Sequence, residues 1–186
     1  YSENDGVRPL GVYGMSKVEA ERRTLQIHPK ALVIRTSAFF SPWDQHNFVF
    51  SVVRDLTRAI QFVAANDVVV SPTYVPDLVN ACLDLLIDGA SGIWHMANDG
   101  QITWYDLAQA IAEKLGLDHG LLKGKPANGF GWAALRPSYS ALTSDRGNLL
   151  PTLNNALDRF AITPFLNFGS PETKQGGPQA ESIQFT

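Results

Sequence analysis

The 186-residue sequence lacks most of the features that mark membrane, secreted and nucleic-acid-binding proteins. Cys82 is the single cysteine and no Asn-x-Ser/Thr site occurs, which favours a reducing, cytoplasmic location. The longest apolar runs, such as residues 31–34, fall far short of the roughly 20 residues that cross a bilayer. With 15 Lys+Arg against 18 Asp+Glu, the chain has no positive field to attract nucleic acid or an anionic membrane. We therefore expect neither as a partner.

What the sequence does contain is typical of a globular domain, with 45% hydrophobic and 18% charged residues. The first residue is Tyr1 rather than Met, and residues 2–6 are polar and turn-rich, so we expect a piece of a longer protein. Residues 166–186 are rich in Gly, Pro, Gln and Ser and are predicted to be a polar tail. The four histidines show no metal-ligand spacing, and no metal site is predicted.

Helices and short apolar strands alternate along the chain, an order typical of a parallel α/β sheet. A helix is predicted over residues 10–27, and a strand over residues 31–35 that is apolar enough to be buried on both faces. A second helix and strand are predicted at residues 76–89 and 92–97. Residues 123–146 hold several glycines and prolines and are predicted to be a loop.

Three further helices are predicted from the residues that would begin them. Asn47 is expected to cap a helix that runs to about residue 60. Thr103, with Asp106 three residues later, has the pattern of a capping box and predicts the start of the next helix. The last helix is expected to begin at Pro151, because proline is tolerated in the first helical turn.

Tyr13 and Lys17 are the residues with the clearest chemical potential. Four residues apart on a helix, their side chains lie one turn apart on the same face. The ordinary tyrosine pKa of about 10 is high for a proton donor near neutrality, and a neighbouring ammonium group lowers it. The same ammonium can bind a ribose hydroxyl and so place a nicotinamide beside a ketone. The pair suits ketone reduction, although this spacing also arises by chance, so the surrounding residues decide.

Those surrounding residues resemble a known family. The segment Tyr1-x-Glu3-x-Asp5-x-x-x-Pro9-Leu10-x-x-Tyr13-Gly14-x-Ser16-Lys17-x-x-x-Glu21 is similar to the active-site helix and its lead-in in extended short-chain dehydrogenases/reductases, and most closely in the dTDP-4-dehydrorhamnose reductases. Further matches follow in the same order at residues 32–37, 47–49, 71–78, 92–97, 136–142 and 150–151. The ordered set is more specific than any one of its pieces.

The resemblance implies an α/β fold: the C-terminal part of a Rossmann-type parallel sheet plus a small mixed α/β substrate-binding domain. Residues 1–37 would hold the catalytic helix and a late Rossmann strand, and residues 75–97 the last helix and strand of that sheet. Residues 38–74 and 98–165 would form the substrate-binding part. The family's glycine-rich dinucleotide fingerprint and its catalytic Ser or Thr have no counterpart here. A missing N-terminal Rossmann half is therefore expected as a partner.

The implied reaction is reduction of the C4 ketone of a dTDP-4-keto-6-deoxyhexose, with NADP or NAD as the cofactor. In it, Tyr13 would protonate the oxygen, while Lys17 would tune Tyr13 and hold the nicotinamide ribose. The remaining site residues expected from the resemblance are Arg35 and Thr36 for the cofactor, and Asn47, Phe48, Thr73 and Arg136 for the nucleotide sugar. A surface or ion-paired role suits Arg136 equally well, and a core position suits Phe48 better.

Two other functions of the same superfamily stay open as alternatives. One is a non-catalytic dinucleotide-binding protein like the regulatory subunit of methionine adenosyltransferase, and the other is an epimerase or dehydratase that retains its cofactor. Ala38 stands where rhamnose-forming reductases usually carry a sugar-stacking tryptophan, and Trp43 is nearby in sequence. A homodimer is compatible with the resemblance, and the isolated chain is expected to be inactive.

Overall fold

The computed structural model describes residues 1–163, which form five α-helices and eight short strands. The helices are α1 (Val12–Ile27), α2 (Phe48–Thr57), α3 (Val75–Ile87), α4 (Trp104–Leu115) and α5 (Leu153–Ala161). The strands are β1 (Leu32–Arg35), β2 (Phe39–Phe40), β3 (Phe62–Ala65), β4 (Val69–Val70), β5 (Thr73–Tyr74), β6 (Gly92–His95), β7 (Ile102–Thr103) and β8 (Leu122–Lys125). None of the helices within residues 1–163 has the length and apolar character to cross a membrane. The predicted tail at 166–186 lies outside the described residues.

The strands pair two by two, and most of the pairs are parallel. β1 lies beside β6 in a register that runs from Leu32 opposite Gly92 to Arg35 opposite His95. The pairs β2–β5 and β3–β8 are also parallel, while β4–β7 is antiparallel. Because parallel neighbours need a crossover between them, helices intervene along the chain. The predicted α/β class is confirmed.

The core has two main parts that correspond to the two halves of the fold. The larger lies among α2, α4 and α5 and includes the fully buried side chains of Phe40, Val49, Val52, Leu107, Ile111, Leu157 and Phe160. The smaller lies between α3 and the β1–β6 pair, where Ala81 and Leu85 pack against Leu32 and Ile34. The β1–β6 pair thus carries α3 on the face formed by Leu32 and Ile34.

Strand β1 differs from its prediction. All four of its residues are only partly buried, so the expectation of burial on both faces is wrong for the described chain. The reason is that α3 covers one face, whereas α1 buries none of its own residues against the rest of the chain.

Strand β8 was not predicted, because it falls in the segment 123–146 that reads as a loop. Its sequence Leu122-Lys123-Gly124-Lys125 is polar after the first residue, and only Leu122 is buried. It pairs in parallel with β3, whose Ala65 lies opposite Lys125. A strand whose side chains mostly face solvent shows no apolar pattern in the sequence.

The helix caps mostly follow the sequence. Asn47 caps α2, where its side chain accepts a hydrogen bond from the backbone N–H of Phe50 at 2.8 Å. Thr103 caps α4 in the same way, by accepting from the N–H of Asp106 at 3.0 Å. Helix α5, however, begins at Leu153 with Thr152 as its cap rather than at Pro151, because the threonine hydroxyl can accept from a free N–H of the first turn.

The end of α2 offers a test of local backbone strain. Ala59 follows the helix with φ at +55°, a left-handed conformation in which Cβ costs about 1–2 kcal/mol. Glycine has no such cost, so we expect Ala59→Gly to raise the free energy of unfolding by up to about 1 kcal/mol. Urea denaturation measures the change. Ala20→Gly, in the exposed middle of α1, is the control and should lower that free energy by about 1 kcal/mol; equal effects would contradict the prediction.

Candidate active site

The predicted Tyr13 and Lys17 pair lies on one exposed face of α1. The Lys17 Nζ is 5.3 Å from the centroid of the Tyr13 ring, and the Tyr13 side chain is 65% exposed. Among residues 1–163, neither the Tyr13 hydroxyl nor the Lys17 ammonium has a hydrogen-bond partner. The structure therefore brings the two groups together as the spacing predicts and leaves both free to bind a ligand.

Arg35 and Thr36 lie at the C-terminal end of β1 and already have partners within the chain. The Arg35 guanidinium donates through Nε and Nη2 to the two carboxylate oxygens of Glu21, at 2.7 and 2.6 Å. These hydrogen bonds raise the pKa of Arg35 further above its ordinary value. The Thr36 hydroxyl is 3.1 Å from that of Thr73. A cofactor contact by either residue would have to be made alongside these bonds.

The residues expected to line the nucleotide-sugar cleft near α2 and β5 are buried. The side-chain amide of Asn47 donates hydrogen bonds to the backbone carbonyls of Ser41 and Asp44. Phe48 packs its ring 4.6 Å from that of Trp104, centroid to centroid. Thr73 is fully buried. These three side chains contribute to the packing around α2 and β5, and their ligand contacts stay a prediction.

Arg136 lies beside a stack of two aromatic rings, and Lys125 lies near the second ring of that stack. The Arg136 guanidinium is 4.9 Å from the centroid of the Trp132 ring, which stacks on Phe130 at 5.0 Å, and the Lys125 Nζ is 5.3 Å from the centroid of Phe130. The Nε of Arg136 is buried and has no hydrogen-bond partner among residues 1–163. Since no carboxylate of that part of the chain pairs with Arg136 or Lys125, the stack can accept an anion.

Glu3 and His95 belong to a polar cluster at the C-terminal end of β6, and the sequence predicts no role for either. The Glu3 carboxylate accepts hydrogen bonds from the His95 N–H at 2.8 Å, the Ser144 hydroxyl at 2.6 Å and the Asp145 N–H at 2.8 Å. Burial alone would raise its pKa, but these hydrogen bonds lower the pKa of Glu3 to about 2. Glu3 stands in the motif segment that leads to α1, and this position was the one signal in the sequence that pointed to a role for it.

The depressed pKa of Glu3 predicts acid sensitivity. Because the folded-state pKa lies below the ordinary value, the charged carboxylate stabilises the fold above about pH 4.5, and this stabilisation is lost as the pH falls from 4.5 to 2. We expect Glu3→Gln to lower the free energy of unfolding at neutral pH by about 1–2 kcal/mol and to remove part of the loss in acid. Urea unfolding at a series of pH values measures this, with Glu113→Gln, at an exposed position of α4, as the control. An unchanged acid dependence in Glu3→Gln would contradict the prediction.

The described residues show no group of three His, Cys, Asp or Glu side chains placed to hold a metal ion. The candidate site residues that the structure describes comprise a phenol and an ammonium group on α1, and a guanidinium on the separate aromatic stack.

The parallel pairing of β1 and β6, with a tyrosine–lysine pair on the helix before β1, is the arrangement of short-chain dehydrogenase/reductase folds. The solved dTDP-4-dehydrorhamnose reductase of Bacillus anthracis str. Ames, in complex with NADP, superposes with a TM-score of 0.80 at 28% identity, covering 86% of this chain and 58% of that chain. The fold class expected from the sequence is thus confirmed.

Sequence comparison identifies the family. The RmlD substrate binding domain family matches residues 1–158, and the chain belongs to that family. A dTDP-4-dehydrorhamnose reductase of Mycolicibacterium smegmatis is 36% identical over 149 residues, which is 78% of this chain and 45% of that protein. A dTDP-4-keto-6-deoxy-D-glucose reductase of Streptomyces niveus is 31% identical over 150 residues, or 78% and 50%. The chain spans about half the length of the curated relatives it matches.

Proposed function

We propose that this chain is part of an NAD(P)H-dependent reductase that converts the C4 ketone of a dTDP-4-keto-6-deoxyhexose to an alcohol. The observation that carries the proposal is the pair of Tyr13 and Lys17, one turn apart on α1, exposed and without hydrogen-bond partners within residues 1–163. Relatives named as dTDP-4-dehydrorhamnose and dTDP-4-keto-6-deoxy-D-glucose reductases support the substrate class.

In the proposed reaction, Tyr13 is the proton donor to the C4 oxygen. As hydride reaches the carbonyl carbon, negative charge develops on oxygen, and a phenol within hydrogen-bond distance supplies the proton. The Lys17 ammonium stabilises the phenolate that remains, since opposite charges one helical turn apart attract. The two residues thus have different roles: Tyr13 transfers the proton, and Lys17 favours the charged form of Tyr13.

The nicotinamide cofactor suits the donors present on α1. A ribose hydroxyl needs a hydrogen-bond donor, and the Lys17 ammonium offers three N–H groups with no protein acceptor among the described residues. The reduced cofactor supplies the hydride when bound. Lys17 would hold the ribose beside Tyr13, and this would fix the positions of the reacting groups relative to one another. Arg35 and Thr36 follow β1 and would border the same site.

Arg136 is proposed to bind the pyrophosphate of the nucleotide sugar. Its buried Nε lacks an acceptor among residues 1–163, its guanidinium lies 4.9 Å from the centroid of the Trp132 ring, and a guanidinium suits bidentate contact with phosphate. Asn47, Phe48 and Thr73 are proposed to contact the nucleotide sugar as well. A ligand contact by Asn47 would have to be made alongside its present hydrogen bonds.

The proposed enzyme is completed by an N-terminal Rossmann half, which would carry the glycine-rich dinucleotide loop. The relatives are about twice as long as the matched region, which leaves room for such a half. The surface left for it is apolar: Val12, Met15 and Ile27 of α1 are exposed, and the edge of β1 opposite β6 is unpaired within residues 1–163. A homodimer of the complete protein is a further part of this proposal.

The test is turnover by the complete protein. With a dTDP-4-keto-6-deoxyhexose, NADPH and NADH should each be tried, and loss of reduced nicotinamide should match formation of a C4 alcohol by NMR. The sugar without its nucleotide is the control and should react poorly. Dinucleotide binding without turnover would favour a non-catalytic role, and tightly bound NAD with no net consumption would favour an epimerase or dehydratase. Either result would overturn the proposal.

A further inference from the structure

Helix α1 makes little apolar contact with the rest of residues 1–163. None of its residues is fully buried, Val18 and Leu25 are partly buried, and Val12 is 79% exposed. Among the described residues, the hydrogen bonds that join its side chains to another element are the two between Glu21 and Arg35. Limited apolar packing fixes the rotation of a helix only weakly, and a directional polar contact can add to it. The Glu21–Arg35 pair is therefore a contact that can set the orientation of α1 against β1.

The geometry of that pair suits this task. Both carboxylate oxygens of Glu21 accept from Arg35, at 2.7 Å from Nε and 2.6 Å from Nη2. This bidentate arrangement restricts rotation as well as distance. The side chains are only 21% and 18% exposed for Arg35 and Glu21, so the pair is shielded from water far more than the exposed pairs of Glu19 with Arg22 and Arg23. Shielding strengthens the attraction and lowers its sensitivity to salt.

Arg35 also contacts His95 on the neighbouring strand β6. The two residues are register partners on the parallel strands β1 and β6, and the Arg35 Nη1 lies 3.2 Å from the His95 Nε2. The His95 Nδ1 lies 3.1 and 3.2 Å from the carbonyl oxygens of Thr143 and Tyr1, both of which only accept. The proton of the neutral ring therefore sits on Nδ1, which leaves Nε2 to accept from Arg35.

We propose that Glu21, Arg35 and His95 form a positioning network that fixes the rotation of α1 and so aims Tyr13 and Lys17 at the reacting groups. Tyr13, Lys17 and Glu21 are spaced four residues apart and share one face of the helix. A rotation of about 20° would move a side-chain tip roughly 5 Å from the axis by about 2 Å. Displacements of that order are large for catalysis. The kinetic part of this inference rests on the proposed reductase function.

The decisive variant is Glu21→Gln, which keeps the shape of the side chain and removes its charge. Its matched control is Glu19→Gln, the same change on the same helix, where Glu19 pairs only with exposed arginines of α1 itself. In the full chain, hydrogen exchange of the α1 amides should become roughly tenfold faster in Glu21→Gln and stay unchanged in Glu19→Gln. Equal exchange rates in the two variants would overturn the inference.

Kinetics of the complete protein give the second readout. We expect Glu21→Gln to lower kcat by roughly 10- to 100-fold with little change in KM for the nucleotide sugar, because the binding residues are left in place. Arg35→Lys, which keeps the charge but not the two-pronged contact, should lose less than Arg35→Met. A fall confined to KM, or equal loss in both Arg35 variants, would contradict a positioning role.

The two readouts separate this inference from the proposed function. If the unaltered protein reduces no 4-keto nucleotide sugar, the proposed function fails, and amide exchange in α1 alone decides whether the network holds the helix. If Glu21→Gln does not fold, Arg35→Lys takes its place in both measurements. Normal exchange and normal kcat in a folded Arg35→Lys and a folded Glu21→Gln would reject the network.

Discussion

Replacing Tyr13 with phenylalanine in the complete protein is expected to lower kcat by roughly 10²- to 10⁴-fold, the range typical of losing a positioned proton donor. The change removes one hydroxyl from a side chain that is 65% exposed and buries no apolar surface, so the fold should not be affected. Because the hydroxyl acts mainly when charge develops on the substrate oxygen, KM for the nucleotide sugar should change little. Steady-state kinetics with saturating reduced cofactor measures the effect.

Tyr105→Phe is the matched control for this prediction. Tyr105 lies in α4 rather than on α1 and packs, partly buried, against the larger core. Its variant should keep kcat within about threefold of the unaltered protein, since loss of one partly exposed hydroxyl is usually a small change. Near-normal turnover by Tyr13→Phe, or an equal loss in both variants, would remove Tyr13 from the reaction.

The part of the site that lies on one helix could be predicted from the sequence. Two residues four positions apart on an α-helix have their side chains about one turn apart, so the proximity of Tyr13 and Lys17 follows from local geometry. The caps at Asn47 and Thr103 are local in the same sense, because each hydroxyl or amide contacts a backbone N–H three residues later. Local chemistry of this kind does not depend on how the strands pair.

The contacts that span the chain could not be predicted in this way. Glu21 and Arg35 are 14 residues apart, and Arg35 and His95 are 60 apart, so their meeting depends on the register of β1 against β6. The sequence indicates that both segments are strands but not which residues lie opposite each other. For the same reason, the engagement of Thr36 by Thr73 became apparent only in the structure. The contacts that the sequence does not predict are thus those that depend on long-range strand register rather than on residue chemistry.

A second buried polar network, centred on Asp77, joins α3 to α5. The Asp77 carboxylate accepts from the Nη1 and Nη2 of Arg159 at 2.6 Å each, and from the Asn98 amide at 2.8 Å. Asn98, itself buried, accepts from the Tyr74 N–H at 2.7 Å and donates to the Pro151 carbonyl at 2.9 Å. The network therefore joins α3 and α5 to the chain that follows β6, with Asp77 and Asn98 at its centre.

We expect Asp77→Ala to lower the free energy of unfolding by about 2–3 kcal/mol, because it leaves the Nη1 and Nη2 of Arg159 and one N–H of the Asn98 amide without an acceptor. That is a large share of the roughly 5–15 kcal/mol that holds a domain together. Urea denaturation measures the loss. Asp84→Ala, on the exposed face of the same helix, is the control and should change stability by less than about 0.5 kcal/mol. A loss below about 1 kcal/mol in Asp77→Ala would mean that water or a neighbouring group satisfies Arg159, and that Asp77 does not join α3 to α5.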